Sequence, residues 1–335
     1  DVLQSRGLGD VYKRQAVLLL CTPDFINNAA NKISRRFGKG MGIKIHDIVK
    51  NEILINLMKV DEKRLTNFEP CVNSFSFVSP YWNPFTAIRW LAAKAIPAPK
   101  GSGPAATAGY AFYQTRSGYN FESYDKFASK EPVARMVVGH NPDEMEDDSD
   151  LGIIALDQLT VESSVDLLKG LNLGSYSSNV MTLDLKDMKF EQHPFNINKY
   201  YKDVSVMNSR VTPEFYSGFD TNQTYTRIMS KISDSALFSE GTYTQDFTKQ
   251  LSQSSLREKL FYNKKVIVEF VSDYSLEIGE VVQLDVYKGT SDREKDYAVS
   301  GKYVIGKVER TFKTSQDKMT SRLTLYTDSD GEAVD

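Results

Sequence analysis

The densest group of possible metal ligands is an acidic stretch in the middle of the chain, from His140 to Asp150 (HNPDEMEDDSD). Carboxylate oxygens are the ligands that Ca²⁺ prefers. The spacing is not that of an EF-hand loop, which needs acids at alternate positions, a glycine at the sixth and a glutamate at the twelfth. We therefore predict a solvated loop, with no metal and no cofactor, at Asp143, Glu144, Glu146, Asp147, Asp148 and Asp150.

Hydrolytic chemistry would need a different set of side chains. A nucleophile needs a Ser or Cys beside a His, and a glycosidase needs two carboxylates across a cleft. No Gly-x-Ser-x-Gly, Walker or dinucleotide loop is present, and His193 beside Pro194 is typical of a loop. We predict that the chain is not an enzyme and has no catalytic residue. The alternative is a cell-wall hydrolase that uses carboxylates such as Glu122 and Asp125.

The cysteines and histidines restrict the chemistry further. Cys21 and Cys71 are too few for a disulfide framework, and His46, His140 and His193 form no zinc-type cluster with them. This cysteine usage is typical of a reducing compartment.

A basic patch at Lys32, Arg35, Arg36 and Lys39 is a further candidate for binding. Such a patch could contact nucleic acid or an acidic partner, or it could be the solvated end of a helix. The net charge of −3 and the pI near 5.8 give no overall basic field for phosphate backbones. We therefore expect no specific nucleic-acid binding.

The length and composition are those of a folded protein of two or three domains, with 335 residues, 41% hydrophobic and 25% charged. The apolar run Ala16 to Cys21 is too short to span a bilayer, and we interpret it as an end strand rather than a signal sequence. Asp1 to Gln15 resembles translated adapter sequence, and the first methionine is Met41. We therefore expect a non-native scar at 1–15 and residues missing upstream.

Several segments have the apolar spacing of helices. Residues 27–36 have helical composition, and an apolar face recurs at three- and four-residue steps from Ile45 to Leu57. Asn83 and Pro84 suit the cap and first turn of another helix, in which we expect Trp90 to be a core residue. Shorter helices are predicted at 159–171 and 247–261.

Strand signals dominate the end of the chain. Four short runs rich in branched and aromatic residues, at 266–271, 281–287, 303–308 and 322–326, predict a small antiparallel β-barrel. Upstream, a mobile loop at 97–109 precedes a hairpin that turns at Arg116 to Gly118, and 180–185 alternates like a strand. The predicted class is α+β and strand-rich.

A polar tract between Asn196 and Ser255 carries many aromatic residues. Tyr and Phe give large contact areas at low entropy cost, which suits a protein interface, but the same residues could fill a domain core. Both interpretations stay open for Tyr200, Tyr201, Phe215, Tyr216, Phe219 and Tyr225.

Three blocks, taken in order, resemble the central hub protein of contractile-tail phage baseplates, a family related to the hub part of type VI secretion spikes. The first block is Ile33 to Phe37 (ISRRF) followed by Ile45 to Lys50 (IHDIVK). The second is Pro84 to Leu91 followed by the FYQT and GYNFES segments of 110–125. The third is Leu276 to Val282 (LEIGEVV) with Ser300 to Ile305 (SGKYVI), where Gly279 and Gly301 suit turns of positive φ. We expect the Gly279 turn to return the chain antiparallel beside Val266 to Val271, and the strand at 322–326 to close the sheet edge.

The resemblance implies a homotrimer, in which similar small barrels form a ring between the tail tube protein and a central spike protein. Other baseplate proteins are further expected partners, and the expected location is the virion, after assembly in the host cytoplasm. A closed ring of this kind removes exposed sheet edges and presents similar surfaces to its neighbours. The resemblance implies no membrane contact and no residue that performs chemistry.

The resemblance to the hub family also predicts a domain division. Residues 16–35 would be a remnant of an N-terminal barrel that is mostly missing, 36–260 a middle α+β region, and 261–330 a C-terminal β-barrel domain. Two alternatives from other classes are a tail-associated cell-wall hydrolase and a host-surface glycan-binding protein with exposed tyrosines.

Overall fold

Strands supply most of the regular structure, in several mixed sheets, which confirms the α+β, strand-rich class. The computed structural model describes residues 20–38, 43–97, 109–139, 151–162, 168, 172, 177–184, 188–196, 206–208, 210–211, 227–232, 251–262, 264–271, 275–288, 295–313 and 318–331. Within these ranges, no helix combines the length and the apolar character that crossing a bilayer requires.

The helices and strands are numbered along the chain. The helices with described bounds are α1 (Pro23–Ala30), α2 (Ile45–Asp47, continued by the π-helix Ile48–Leu57), α3 (Pro84–Ala92), α4 (Tyr124–Ala128) and α5 (Leu251–Phe261), and a 3₁₀-helix spans Glu62–Arg64. The strands are β1 (Arg36–Phe37), β2 (Ile43–Lys44), β3 (Leu65–Phe68), β4 (Ser74–Phe75), β5 (Phe77–Val78), β6 (Tyr110–Gln114), β7 (Tyr119–Ser123), β8 (Ala134–Val138), β9 (Gly152–Ala155), β10 (Gln158–Val161), β11 (Ser177–Asp184), β12 (Lys189–Asn196), β13 (Arg210–Val211), β14 (Arg227–Ile232), β15 (Lys264–Val271), β16 (Val281–Val286), β17 (Gly301–Lys313), β18 (Lys318–Thr327) and β19 (Ser329–Asp330).

The first unit is the part of the chain that shares one hydrophobic core, from Ile33 to Phe121. It is built around the predicted helix that starts at Ile45. Ile45, Ile48 and Ile53 are fully buried, so the apolar face predicted from their spacing is confirmed. After Asp47 the helix widens to π-type bonding, in which the Met58 N–H donates to the Ile53 carbonyl at 2.9 Å.

Helix α3 and the hairpin β6–β7 complete this unit. Asn83 occupies the N-cap position of α3 and Pro84 is the first helical residue, as predicted, but the Asn83 side chain makes no capping hydrogen bond. The hairpin is antiparallel and turns between Gln114 and Tyr119, and β3 adds to β7 in parallel, which leaves β6 at the edge of a three-stranded sheet. Trp90 packs against Phe75, Phe77 and Trp82, which confirms its place beside the core.

The C-terminal strands are all confirmed, but they form part of a larger mixed sheet. Its strand order is β10-β15-β18-β17-β16-β8-β9, with β8 parallel to both β16 and β9. The sheet therefore includes three strands from 134–161, in addition to those of 261–330. Its core consists of branched and aromatic side chains such as Val268, Leu284, Tyr303 and Leu325.

The predicted barrel is not closed in the described part of the chain. The two end strands, β9 and β10, do not pair with each other but follow one another along the chain. Between them, the Leu156 N–H donates to the Val137 carbonyl (3.0 Å) and the Asp157 N–H donates to the Glu269 carbonyl (2.8 Å). The two-residue linker Leu156–Asp157 is thus hydrogen-bonded to both β8 and β15, so consecutive segments of the chain form the two ends of the sheet.

Gly279 adopts φ of 86° and Gly301 adopts φ of 149°, which confirms the positive φ predicted at both turns. The pairing predicted after Gly279 is wrong, since β16 pairs with β8 and β17 and not with β15. The strand at 322–326 does not close the sheet edge either. It is central, between β15 and β17, because the long β17–β18 hairpin places it there.

Two predicted helix positions also need correction. The helix expected at 27–36 is α1, which begins at Pro23 because Thr22 caps it, and ends at Ala30. Of the helix expected at 159–171, residues 159–161 belong to strand β10 instead, since pairing with β15 overrides the local pattern. Strand β11 and helix α5 match the predictions at 180–185 and 247–261 where these ranges are described.

Candidate functional site

Glu122, one of the two carboxylates of the hydrolase alternative, lies inside the protein on β7. Its side chain is 1% exposed and accepts hydrogen bonds from Lys126 Nζ (2.5 Å), Lys130 Nζ (2.7 Å) and the Tyr113 hydroxyl (2.5 Å). Burial alone would raise the pKa of Glu122, but these three donors together hold that pKa below its ordinary value. Glu122 is therefore an ionised anchor, whereas a general acid needs a raised pKa.

Asp125, the second of these carboxylates, belongs to a separate ion-pair chain. Its Oδ1 lies 3.4 Å from Arg257 Nη2 on α5, and Arg257 Nη1 lies 2.7 Å from Asp328 Oδ2. Asp328 also accepts the N–H of Met207 at 3.0 Å. Asp125 is thus linked through Arg257 to Asp328, and Glu122 is linked through Lys130, whose Nζ also donates to the Gly279 carbonyl at 3.0 Å.

The structure brings together one pair that the sequence did not connect, Cys71 and His46. Their backbones and side chains bond reciprocally: the Cys71 N–H donates to His46 Nδ1 (3.0 Å), and the His46 N–H donates to Cys71 Sγ (3.2 Å). The thiol donates to the Asn73 carbonyl at 3.7 Å. Burial raises the pKa of Cys71 to about 11 and is the main cause that lowers the pKa of His46. The pair resembles a nucleophile and base in composition, but the thiol is held protonated.

The basic patch is only partly available as a binding surface. Arg35 Nη2 lies 3.0 Å from Glu52 Oε2, and its guanidinium carbon lies 4.7 Å from the centre of the Phe37 ring. Lys32 lies near the ring of Tyr81, at 6.0 Å from its centre. Arg36 lies on β1, and Lys39 lies outside the described residues.

Several predicted features cannot be compared with the structure. The acidic loop of 140–150, the loop interior at 98–108 and all six aromatics of the polar tract lie outside the described residues. His193, expected in a loop, instead lies half-buried on β12, where Nε2 is 3.2 Å from Thr182 Oγ1. Within the described ranges, no group of three His, Cys, Asp or Glu side chains could hold a metal ion.

Helix α1 is held to the protein by its polar side. Asp24, 9% exposed, pairs with Arg64 Nη2 at 2.6 Å. Asn27 Nδ2 donates to the Met58 carbonyl at 2.9 Å, and Asn28 Oδ1 accepts the N–H of Phe85 at 2.8 Å. Residues 24, 27 and 28 share one helical face, so this face is the docked one.

The apolar side of α1 faces outward. Phe25 is 60% exposed and Ile26 is 59% exposed, and Ala29 and Ala30 on the same side are exposed too. A surface helix normally buries its apolar stripe and exposes its polar one, so α1 is inverted. We call Phe25, Ile26, Ala29 and Ala30 the outer face of α1.

The outer face was missed because the segment was interpreted as a barrel remnant followed by a later helix. The signal was present in the sequence. Thr22, Pro23 and Asp24 form a helix start, and polar residues recur at positions 24, 27, 28 and 31 with apolar residues between them. Periodicity alone could not indicate which side is docked.

Comparisons with known proteins add only weak likenesses. No protein-family model matches the chain, and no curated protein matches it. The tail protein from Neisseria meningitidis MC58 is similar in structure with a TM-score of 0.48 and 9% identity, over 88% of this chain and 70% of that chain. The baseplate of phage P2 in its activated conformation with Ca has a TM-score of 0.27 and 10% identity, over 89% of this chain and 68% of that chain. At these scores neither protein's role is transferred to this chain.

Proposed function

We propose that this chain is a structural protein of a contractile phage tail, located in the baseplate of the virion. In the finer form of the proposal it is a homotrimeric hub, which joins the tail tube protein to the central spike protein after assembly in the host cytoplasm. The observation that carries the proposal is the outer face of α1. A structural hub acts through protein contacts, and this exposed apolar face suits such a contact.

The physical argument starts from the cost of exposing apolar side chains. Fully burying a Phe or Ile side chain is worth about 1.5–3 kcal/mol. The free protein forgoes only part of this stabilisation at Phe25 and at Ile26, which are 60% and 59% exposed. The helix is nevertheless fixed in this orientation by the ion pair of Asp24 with Arg64. An exposed apolar surface on a rigidly docked element is typical of an interaction site.

The three blocks that resemble the hub family support the same proposal. The first block supplies β1 and the start of α2, and the second supplies α3 and the β6–β7 hairpin. The third supplies the Gly279 turn and the start of β17. They all contribute to the packed body of the protein, so the resemblance concerns the framework.

The proposal assigns no enzymatic role to the chain. Glu122 is engaged by two lysines and a tyrosine, and Asp125 by Arg257, which leaves both carboxylates in structural contacts. Negative-stain electron microscopy of the purified protein tests the proposal, which predicts ring-shaped particles with threefold symmetry. Isolated particles of monomer size would overturn the finer proposal.

A turbidity assay on purified cell walls tests the enzymatic alternative directly. We expect no clearing by the wild-type protein. Clearing that the Glu122→Gln variant loses, while an exposed-site variant such as Glu131→Gln retains it, would replace the structural proposal by a hydrolase.

A further inference from the structure

A cavity of about 390 Å³ lies where the first unit, helix α5 and the C-terminal sheet meet. One wall is the edge strand β6 with Gly109, and the opposite wall combines the Gly279 turn with residues 304–306 of β17. Helix α5 lies along the side, where Ser254 Oγ donates to the Ala93 carbonyl at 2.9 Å. The cavity has no part in the proposed tail function.

Tyr110 to Tyr113 of β6 line this cavity, and the hydrogen-bond phase of the hairpin decides which of their backbone groups point away from β7. The Tyr124 N–H donates to the Gly109 carbonyl, and the Thr115 N–H donates to the Gly118 carbonyl. In an antiparallel pair the bonded positions alternate, so Ala111 and Tyr113 bond inward to β7. The N–H and C=O groups of Tyr110 and Phe112 therefore point away from β7, and no hydrogen bond between described residues reaches them.

The remaining walls of the cavity are aromatic rings that pack closely against glycine residues. A Cβ at Gly279 would lie 2.4 Å from the ring of Tyr113, and a Cβ at Gly306 would lie 2.4 Å from the ring of Tyr326. Each ring thus rests directly on a glycine backbone. Gly306 is also the site of a register shift between β17 and β18, which interrupts the sheet at this wall.

Two opposite charges flank the cavity, Arg89 on α3 and Glu258 on α5, and both side chains are exposed. A row of outward backbone donors and acceptors between aromatic walls matches an extended polypeptide, which adds to a sheet edge through its main chain and places alternate side chains in pockets. A compact small molecule would use few of these backbone groups.

We propose that this cavity is a docking site for an extended peptide segment of a partner protein, which adds as a strand to the outer edge of β6. The partner segment bonds to the backbone of Tyr110 and Phe112. Its inward side chains are apolar or aromatic and pack among Tyr113, Phe261 and Tyr326.

The test is a selection of random nonapeptides by messenger-RNA display against the full chain, with counter-selection against the Ala111→Phe variant. Ala111 lines the cavity, so the added ring fills it. The matched control is Ala298→Phe, which adds the same ring at an exposed position. We expect enriched peptides whose affinity for Ala111→Phe is at least about tenfold weaker than for the wild type, a loss of about 1.4 kcal/mol or more in binding free energy. Their affinity for Ala298→Phe should equal that for the wild type.

A second measurement keeps the test independent of how well the variant folds. The enriched peptide is synthesised with N-methyl groups on one set of alternate residues and then on the other, and each form is titrated against the wild-type protein. Strand addition predicts that only one of the two sets abolishes binding, because only those N–H groups face β6. Equal effects of both sets would overturn the proposal, and so would a selection that enriches no peptide, as when the chain's own residues fill the cavity.

Discussion

Substitution of buried charged residues should lower the stability of the protein most. Replacing Glu122 by Gln removes the charge that Lys126 and Lys130 share, and it leaves two lysines without their counter-ion. We expect the free energy of unfolding, measured by urea denaturation, to fall by about 3 kcal/mol. The matched control is Glu131→Gln, because Glu131 is 88% exposed and lies 3.8 Å from Lys302, and its loss should change stability by less than about 0.5 kcal/mol.

The pH dependence of the stability of the wild type and of Glu122→Gln tests whether the ionised carboxylate causes this loss of stability. Because the pKa of folded Glu122 lies below its ordinary value of 4.5, the ionised carboxylate stabilises the protein above pH 4.5. That contribution is lost as the pH falls through the folded pKa. The stability difference between the wild type and Glu122→Gln should therefore shrink below pH 4.5, and a difference that stays constant to lower pH would contradict the ion-pair account.

The two cysteines should differ sharply in reactivity. Cys21 is exposed, whereas Cys71 is 2% exposed with a pKa raised to about 11. At about pH 8 we expect Ellman's reagent to modify one thiol rapidly and the second only after unfolding, and the Cys21→Ser variant to lose the rapid phase. A rapid phase that persists in this variant would mean that Cys71 with His46 is an open nucleophilic site.

For individual side chains, the sequence could predict which residue types are present but few of the contacts that they make. That Cys71 meets His46, and that Glu122 meets two lysines, depends on how α2, β7 and α4 pack. Lys126 lies only four residues after Glu122 and could have been paired from the sequence, but the contact of Lys130 with the Gly279 carbonyl joins residues far apart in the chain.

Among the elements, the turn at Gly279 gives the clearest prediction. Its φ is 86°, and a side-chain carbon added there would lie 2.4 Å from the Tyr113 ring, so the turn has no room for a side chain. We expect Gly279→Ala to lower the free energy of unfolding by about 2 kcal/mol. The control is Gly152→Ala on β9, where no atom lies within 4 Å of the added carbon and φ is ordinary. Equal melting curves for the two variants would contradict this account of the turn.

Elements with strong local signals were predictable, and those that depend on pairing were not. The cap and proline of α3, the hairpin turn and the four C-terminal strands follow from residue type alone. Strands β8, β9 and β10 were not predicted, because they complete the sheet from a distant part of the sequence. The barrel prediction failed for the same reason, since it assumed that the C-terminal strands pair only among themselves.

The whole molecule combines a helix-rich first unit and a curled sheet, linked by polar contacts through Lys130 and Arg257. Such links fix the orientation of the two parts, which suits a component that must present several surfaces at once. The outer face of α1 and the edge of β6 are on different elements, so an assembly contact at one does not require loss of the other. The sequence indicated the class of partner by resemblance, but neither surface.

Static light scattering over a concentration series tests the central claim, that the outer face of α1 is an assembly surface. We expect the wild type to approach three times its mass of 37.8 kDa, and the double variant Phe25→Ser with Ile26→Ser to remain at 37.8 kDa. The double variant should fold, because Asp24, Asn27 and Asn28 still dock the helix. A wild type that stays monomeric at every concentration, or a double variant that associates equally well, would contradict the claim.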